Sequence, residues 1–158
     1  MRIHILIVFS VVLANCSSKT EIVKVNPNQY DSTLAEKLGA DQFGMKAYVM
    51  AFLKKGPNRS TDTIIAKNLL LAHLHNIQKL ADEGKLIMAG PFLDDQDIRG
   101  IYIFNVSSLE DAKKLTEMDP AIQAGSLVME LHPWYGSAAL VEITKIHKKL
   151  QKKSITEQ

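Results

Sequence analysis

The chain has 158 residues, of which 46% are hydrophobic and 23% are charged, and it contains one cysteine. This composition fits one globular domain with short appendages, large enough to bury a core without disulfides or metal ions. The net charge of +2 gives no electrostatic case for nucleic-acid binding, which needs a concentrated basic surface. We therefore expect no nucleic-acid partner.

The first residues have the pattern of a bacterial secretory signal. A basic start precedes the apolar run Ile5–Ala14, which is too short to span a bilayer. The letters LANC that follow resemble a lipobox, in which cleavage before Cys16 lets the thiol carry diacylglycerol. A solitary cysteine at this place favours lipidation, because it cannot form an intrachain disulfide.

We therefore expect residues 1–15 to be a signal peptide. The mature chain is then held by its lipid at a membrane of the bacterial cell envelope, on the periplasmic or surface side. An ordinary signal peptide that is cut elsewhere is the alternative.

Residues 16–44 are predicted to form a lipid-anchored tether and an N-terminal extension. Their first half is polar without an apolar period, and one or two helical turns are expected to end near Gly39. Beyond the extension, apolar runs bounded by turn residues predict four strands, over residues 45–55, 85–92, 101–106 and 126–135.

Helical patterns lie between and after these strands. The first helix has candidate N-caps in Ser60–Asp62, and Gly84 suits the position just after its end. The second helix is predicted to begin at a capping box formed by Ser107 and Glu110. Over residues 137–158, apolar residues at a helical period predict a C-terminal helix and a tail with lysines on the outer side.

The order β-α-β-β-α-β over residues 45–136 defines the fold class. It predicts an α+β domain, with a ferredoxin-like antiparallel sheet that carries two helices on one face. The other face is left uncovered in this arrangement, and a second copy of the chain is its simplest cover. The sequence therefore predicts a homodimer.

Two histidines of the first helix differ in helical phase. His73 lies in an apolar stripe whose spacing is that of a face turned toward the sheet, and His75 is about 200° round the helix, on the solvent side. Because i, i+2 spacing puts the rings on different faces, a two-histidine metal clamp is disfavoured and no metal site is expected. The members of the stripe are Ala66, Leu70, His73, Ile77 and Leu80.

Asp119 is the candidate partner of His73. A lone histidine on an apolar stripe is more often a core residue than a functional one, so a partner is needed to indicate chemistry. Asp119 stands where the second helix is expected to end, before Pro120. Both helices lie on one face of the predicted sheet, so this carboxylate can approach the imidazole, fix its tautomer and raise its basicity.

Three stretches of the sequence combine these features: AHLHNIQKLADEGKLIMAGPF, SLEDAKKLTEMDPAIQAG and MELHPWYG. They contain His73, Gly90-Pro91, Asp119-Pro120 and Gly125. In this order and spacing, over residues 46–135, the chain resembles the YCII-related family of dimeric α+β barrels. The resemblance implies a ferredoxin-like fold, a homodimer and a His73–Asp119 acid/base pair. The few characterised members of that family eliminate halide from, or isomerise, hydroxylated aromatics and lactones.

His132 and Trp134 are candidates for ligand contact on the fourth strand. Alternate residues of a strand share a face, so the two stand on one side together with Val128 and Glu130. Trp134 is suited to stacking on a flat ligand and His132 to donating a hydrogen bond to it. Packing at the edge of the sheet is the alternative.

Three functions remain open from the sequence. In the first, His73 moves a proton on a small cyclic or aromatic substrate, oriented by Asp119, as in a cofactor-independent isomerase or lyase. In the second, the same pocket binds a small anion or aromatic without turnover. In the third, the chain is a structural envelope lipoprotein. The sequence has no Ser-His-Asp pattern, P-loop, GxGxxG or CxxC motif, and no cofactor is expected.

Overall fold

The computed structural model describes residues 29–157. The predicted signal peptide, Cys16 and the first part of the tether lie outside these residues. No helix within residues 29–157 is long and apolar enough to cross a membrane. The elements, in chain order, are α1 (Ser32–Leu38), β1 (Met45–Lys55), α2 (Thr63–Asp82), β2 (Leu86–Pro91), β3 (Ile98–Phe104), α3 (Leu109–Thr116), α4 (Pro120–Gln123), β4 (Leu127–Ser137), a 3-10 helix (Ala138–Glu142) and α5 (Ile143–Leu150).

The four strands form one antiparallel sheet in the order β2-β3-β1-β4. The central strand β1 pairs with β4 along its whole length, from Met45 opposite Ser137 to Lys55 opposite Leu127. Two strands that are adjacent in sequence, β2 and β3, form the other side of the sheet. This is the strand order of the split βαβ arrangement, so the predicted ferredoxin-like α+β fold is confirmed.

The helices α2 and α3 cover one face of the sheet. Because side chains alternate along a strand, every second residue of β1 points toward these helices. The resulting core brings together strand and helix residues that are less than a tenth exposed: Val49, Ala51, Leu53, Leu80, Leu86, Tyr102, Phe104, Ala112 and Leu115. His73 and Asp119 are buried on this same side of the sheet.

The helix ends follow local capping rules, with one difference from the prediction. The carboxylate of Asp62 accepts hydrogen bonds from the first turn of α2, as expected for an N-cap. For α3 the predicted capping box was wrong by one residue, because the helix begins at Leu109. Ser108 is therefore the extended residue before it, and its hydroxyl accepts a hydrogen bond from the backbone N–H of Asp111.

The predicted apolar stripe of α2 is buried only in its second half. His73 and Leu80 are buried, whereas Ala66 is exposed and Leu70 is 54% exposed. The prediction was wrong for these first two members because they line an open cavity instead of packing against the sheet.

The C-terminal segment Ala138–Leu150 covers part of the second face of the sheet. Its residues Leu140, Val141 and Ile143 pack against Tyr48, Ile87 and Ile103, which point away from α2 and α3. The expectation of an uncovered second face was therefore wrong near Tyr48. Further along β4 the second face is uncovered, as expected, and Val128 there is 44% exposed.

Candidate functional site

His73 and Asp119 are in direct contact in the interior. The Nδ1 atom of His73 lies 2.8 Å from Oδ2 of Asp119, and the two residues are only 5% and 0% exposed. An ionised carboxylate can only accept hydrogen bonds, so the imidazole donates through Nδ1–H. This contact fixes the neutral tautomer of His73 and leaves the lone pair of Nε2 free to accept a proton or a hydrogen bond.

Asp119 is held in place by its position before a proline. It is the N-cap of α4, with Pro120 in the first helical position, where a missing N–H costs nothing. Its Oδ1 accepts the N–H of Ala121 at 2.8 Å, and Oδ2 also accepts from the side-chain amide of Asn76 at 3.2 Å. Together with His73, these donors satisfy a carboxylate that would otherwise be costly to bury.

Tyr102 also belongs to this network, although it was not among the residues predicted from the sequence. Its hydroxyl lies 3.2 Å from Nε2 of His73, and the residue is 2% exposed. Burial, and then the negative charge of Asp119, raise the pKa of Tyr102 well above its ordinary value. The phenol therefore stays protonated and donates to the lone pair of Nε2. The feature of the sequence that could have indicated Tyr102 is the alternation of side chains along the third strand, which puts Tyr102 and Phe104 on the same face of the sheet.

A cavity of about 340 Å³ opens beside His73. This volume is at the lower end of the range for small-molecule sites. The β1–α2 loop, the exposed first half of α2 and the start of β4 surround it, and the lining includes Arg59, Ser60, Lys67, Leu70, Ser126 and Leu127. Among the described residues that line the cavity, only His73 joins the buried network through its side chain, while Ala121 contributes its backbone N–H.

His75 lies outside this site. Its side chain is exposed, and its Nδ1 lies 2.7 Å from the carbonyl oxygen of Leu71 one turn earlier. The two histidines of α2 therefore face different surroundings, as their helical phase predicts. No group of three or more His, Cys, Asp or Glu side chains in residues 29–157 is placed to hold a metal ion.

His132 and Trp134 are on the opposite face of the sheet. They stand across from Met50 and Tyr48 of β1, and the rings of Trp134 and Tyr48 are 5.8 Å apart. His132 lies 2.8 Å from a carboxylate oxygen of Glu130. The sheet separates these residues from His73 and Asp119, so one ligand in the cavity cannot touch both sets within a single chain. Ligand contact by His132 and Trp134 stays a prediction.

Fold and site together define a ferredoxin-like α+β protein with a buried histidine–aspartate pair next to a cavity. The chain belongs to the YCII-related family, because the family model described as "YCII-related domain" matches residues 47–135, more than half of its length. This match confirms the family to which the sequence motifs pointed.

The chain is also similar to two known proteins. The chain is 32% identical over 62 residues to "Uncharacterized protein YjpA" of Bacillus subtilis (strain 168), a match that covers 39% of this chain and 71% of that protein. A solved structure of 5-chloro-2-hydroxyhydroquinone dehydrochlorinase from Burkholderia phenoliruptrix AC1100, in complex with 2,5-dihydroxybenzoquinone, is 21% identical with a TM-score of 0.41. That likeness covers 54% of this chain and 92% of the other.

Proposed function

We propose that this protein is a cofactor-independent isomerase or lyase that acts on a small cyclic or aromatic substrate. The observation that carries the proposal is the 2.8 Å contact between His73 and a fully buried Asp119, at the wall of a cavity of suitable size. A base that is oriented by a carboxylate can move a proton without metal or cofactor.

The proposed reaction uses Nε2 of His73. This nitrogen takes a proton from a C–H bond next to a carbonyl group, and Asp119 stabilises the imidazolium that forms. The electron pair of the broken bond either remains as an enolate, which the imidazolium reprotonates elsewhere, or expels a leaving group. Since Tyr102 donates to Nε2 in the free protein, the substrate must exchange its contact for that hydrogen bond.

Exchange in heavy water tests the proposal. The purified chain is incubated in D₂O with a library of small cyclic and aromatic metabolites, and mass spectrometry follows both new products and deuterium gain at carbon. We expect at least one compound to react with the wild-type chain. If no compound reacts, the enzymatic proposal is wrong.

A non-catalytic binding protein is the second candidate. The observation in its favour is that the hydroxyl of Tyr102 already lies 3.2 Å from Nε2 of His73, a residue that is only 5% exposed. The same library separates the two functions, because a binding protein shifts the NMR signals of bound compounds but leaves them chemically unchanged.

We also propose that the mature chain is lipid-anchored through Cys16. The support is the position of the only cysteine in the sequence, directly after the apolar run Ile5–Ala14. Cys16→Ala should move the protein from the detergent phase to the aqueous phase of a Triton X-114 partition, or leave it unprocessed. Unchanged partition of the variant together with normal processing would contradict the anchor.

A homodimer through the second face of the sheet is proposed as well. The C-terminal segment covers the part near Tyr48 and leaves Val128 of β4 44% exposed, and a sheet face that the chain itself leaves uncovered is commonly covered by a second copy. Light scattering of residues 29–158 should give twice the chain mass. A single-chain mass at micromolar concentration would rule the dimer out.

A further inference from the structure

Two basic side chains stand at the cavity beside His73. Arg59 comes from the β1–α2 loop and Lys67 from the second turn of α2, and both line the cavity. No Asp or Glu is among the residues that line it. Both residues are exposed, so each is expected to contribute a modest attraction of up to about 1 kcal/mol to an anion bound in the cavity.

The charges of these two residues are not neutralised by the rest of the described chain. Within residues 29–157, neither Arg59 nor Lys67 lies within 4.0 Å of a carboxylate, although Lys54, Lys55 and Arg99 each form an ion pair. Ser126 lines the same cavity. The cavity therefore offers two cationic side chains and a hydroxyl as possible ligand contacts.

The remaining wall is aliphatic. Leu69, Leu70 and Leu127 line the cavity together with Ala66 and Ala121. Such a surface favours a carbon skeleton over a fully hydrated ion, because burying apolar area contributes about 25 cal/mol per Å². A bare inorganic anion would leave this part of the cavity unfilled.

We propose that the cavity binds a small organic carboxylate of about one ring in size. Its carboxylate contacts Arg59 and Lys67, and its apolar ring lies against Leu70 and Leu127, within reach of His73. This inference rests on the proposed function and specifies its substrate class. The two positive charges hold the substrate and also offset the negative charge of an enolate that forms when His73 removes a proton.

Matched acids and amides test the charge preference directly. The probes are benzoate, salicylate and cyclohexanecarboxylate, each paired with its neutral amide, and binding to the purified full-length chain is followed by ligand-observed NMR. Ligands of this size should bind with a Kd on the order of 1 mM. We expect at least one acid to bind about tenfold more tightly than its amide.

Three variants assign the preference to the two residues. Arg59→Gln and Lys67→Gln should each weaken binding of that acid by about fivefold and leave its amide unaffected. Lys79→Gln is the matched control, because Lys79 is exposed on the same helix but does not line the cavity, and its effect should be within twofold. Circular dichroism checks that each variant folds.

Two results of these binding experiments would overturn the inference. One is that no acid of the three pairs binds better than its amide. The other is that Arg59→Gln and Lys67→Gln bind the acid as the wild type does. Turnover of a neutral compound that depends on His73 would contradict the carboxylate preference but support the proposed enzymatic function. Binding of an acid without turnover of any compound would support the carboxylate preference but contradict the enzymatic function.

Discussion

His73→Ala should reduce turnover of any substrate found for this protein by about 10²–10⁴-fold, the usual contribution of a positioned general base. Asp119→Asn should cause a loss of similar order. The amide keeps the shape of the side chain and an oxygen for the N–H of Ala121, but it removes the charge that stabilises the imidazolium. Initial rates of the two variants, measured on the same substrate, give the comparison.

His75→Ala is the matched control for this pair. It removes an imidazole from the same helix at an exposed position that donates only to a backbone carbonyl, so its rate should equal that of the wild type. Thermal unfolding shows whether each variant is intact. Equal losses for His75→Ala and His73→Ala would contradict the assignment of the base.

Gly56→Ala should lower the free energy of unfolding by about 1–3 kcal/mol, the cost of overpacking a tight contact. Gly56 donates its N–H to the carbonyl oxygen of Ser126 at 2.9 Å. In the same loop, the N–H of Asn58 donates to the carbonyl oxygen of Gly125. A Cβ at residue 56 would lie 2.7 Å from the carbonyl carbon of Ser126. This contact is with backbone, which cannot rotate away, and it outweighs the gain of about 0.4–1 kcal/mol from a less flexible unfolded chain.

Urea denaturation measures this loss, and Gly90→Ala supplies the control. Gly90 has ordinary negative-φ backbone, and a Cβ there would meet nothing within 4 Å. The free energy of unfolding of Gly90→Ala should therefore equal that of the wild type or exceed it by up to about 1 kcal/mol. If Gly56→Ala is as stable as Gly90→Ala, the close approach of the two loops is not part of the folded state. Because these loops carry Arg59 and Ser126, Gly56→Ala should also weaken ligand binding in the cavity.

The fold was largely predictable because its signals are local. Alternating or continuous apolar runs predicted the four strands. The candidate caps Ser60–Asp62 included the N-cap of α2, which is Asp62, and Gly84 follows the end of that helix. For α3 the sequence favoured Ser107 as the cap, whereas the cap is Ser108, because the choice between two adjacent serines depends on where the helix packs. The C-terminal segment was predicted as a helix, but its docking against Tyr48 depends on tertiary contacts that no local pattern encodes.

The site was predictable only in part. Helical phase separated His73 from His75, and the topology placed Asp119 near His73. Tyr102 was missed because an aromatic residue in a β run is usually explained by packing. From the alternation of the strand alone, the ring of Tyr102 could lie on either face of the sheet. Only the register of the strands shows that it lies under α2. The cavity itself depends on the exposed first half of that helix, which its apolar sequence did not suggest.

The docking of the C-terminal segment can be followed by the fluorescence of a tryptophan that the chain already contains. Trp134 is the only tryptophan of the chain, and it packs at the same cluster as Leu140, Val141 and Ile143. Indole emission moves to longer wavelength when water reaches the ring. The intrinsic fluorescence of the unlabelled protein should therefore report whether the segment is docked.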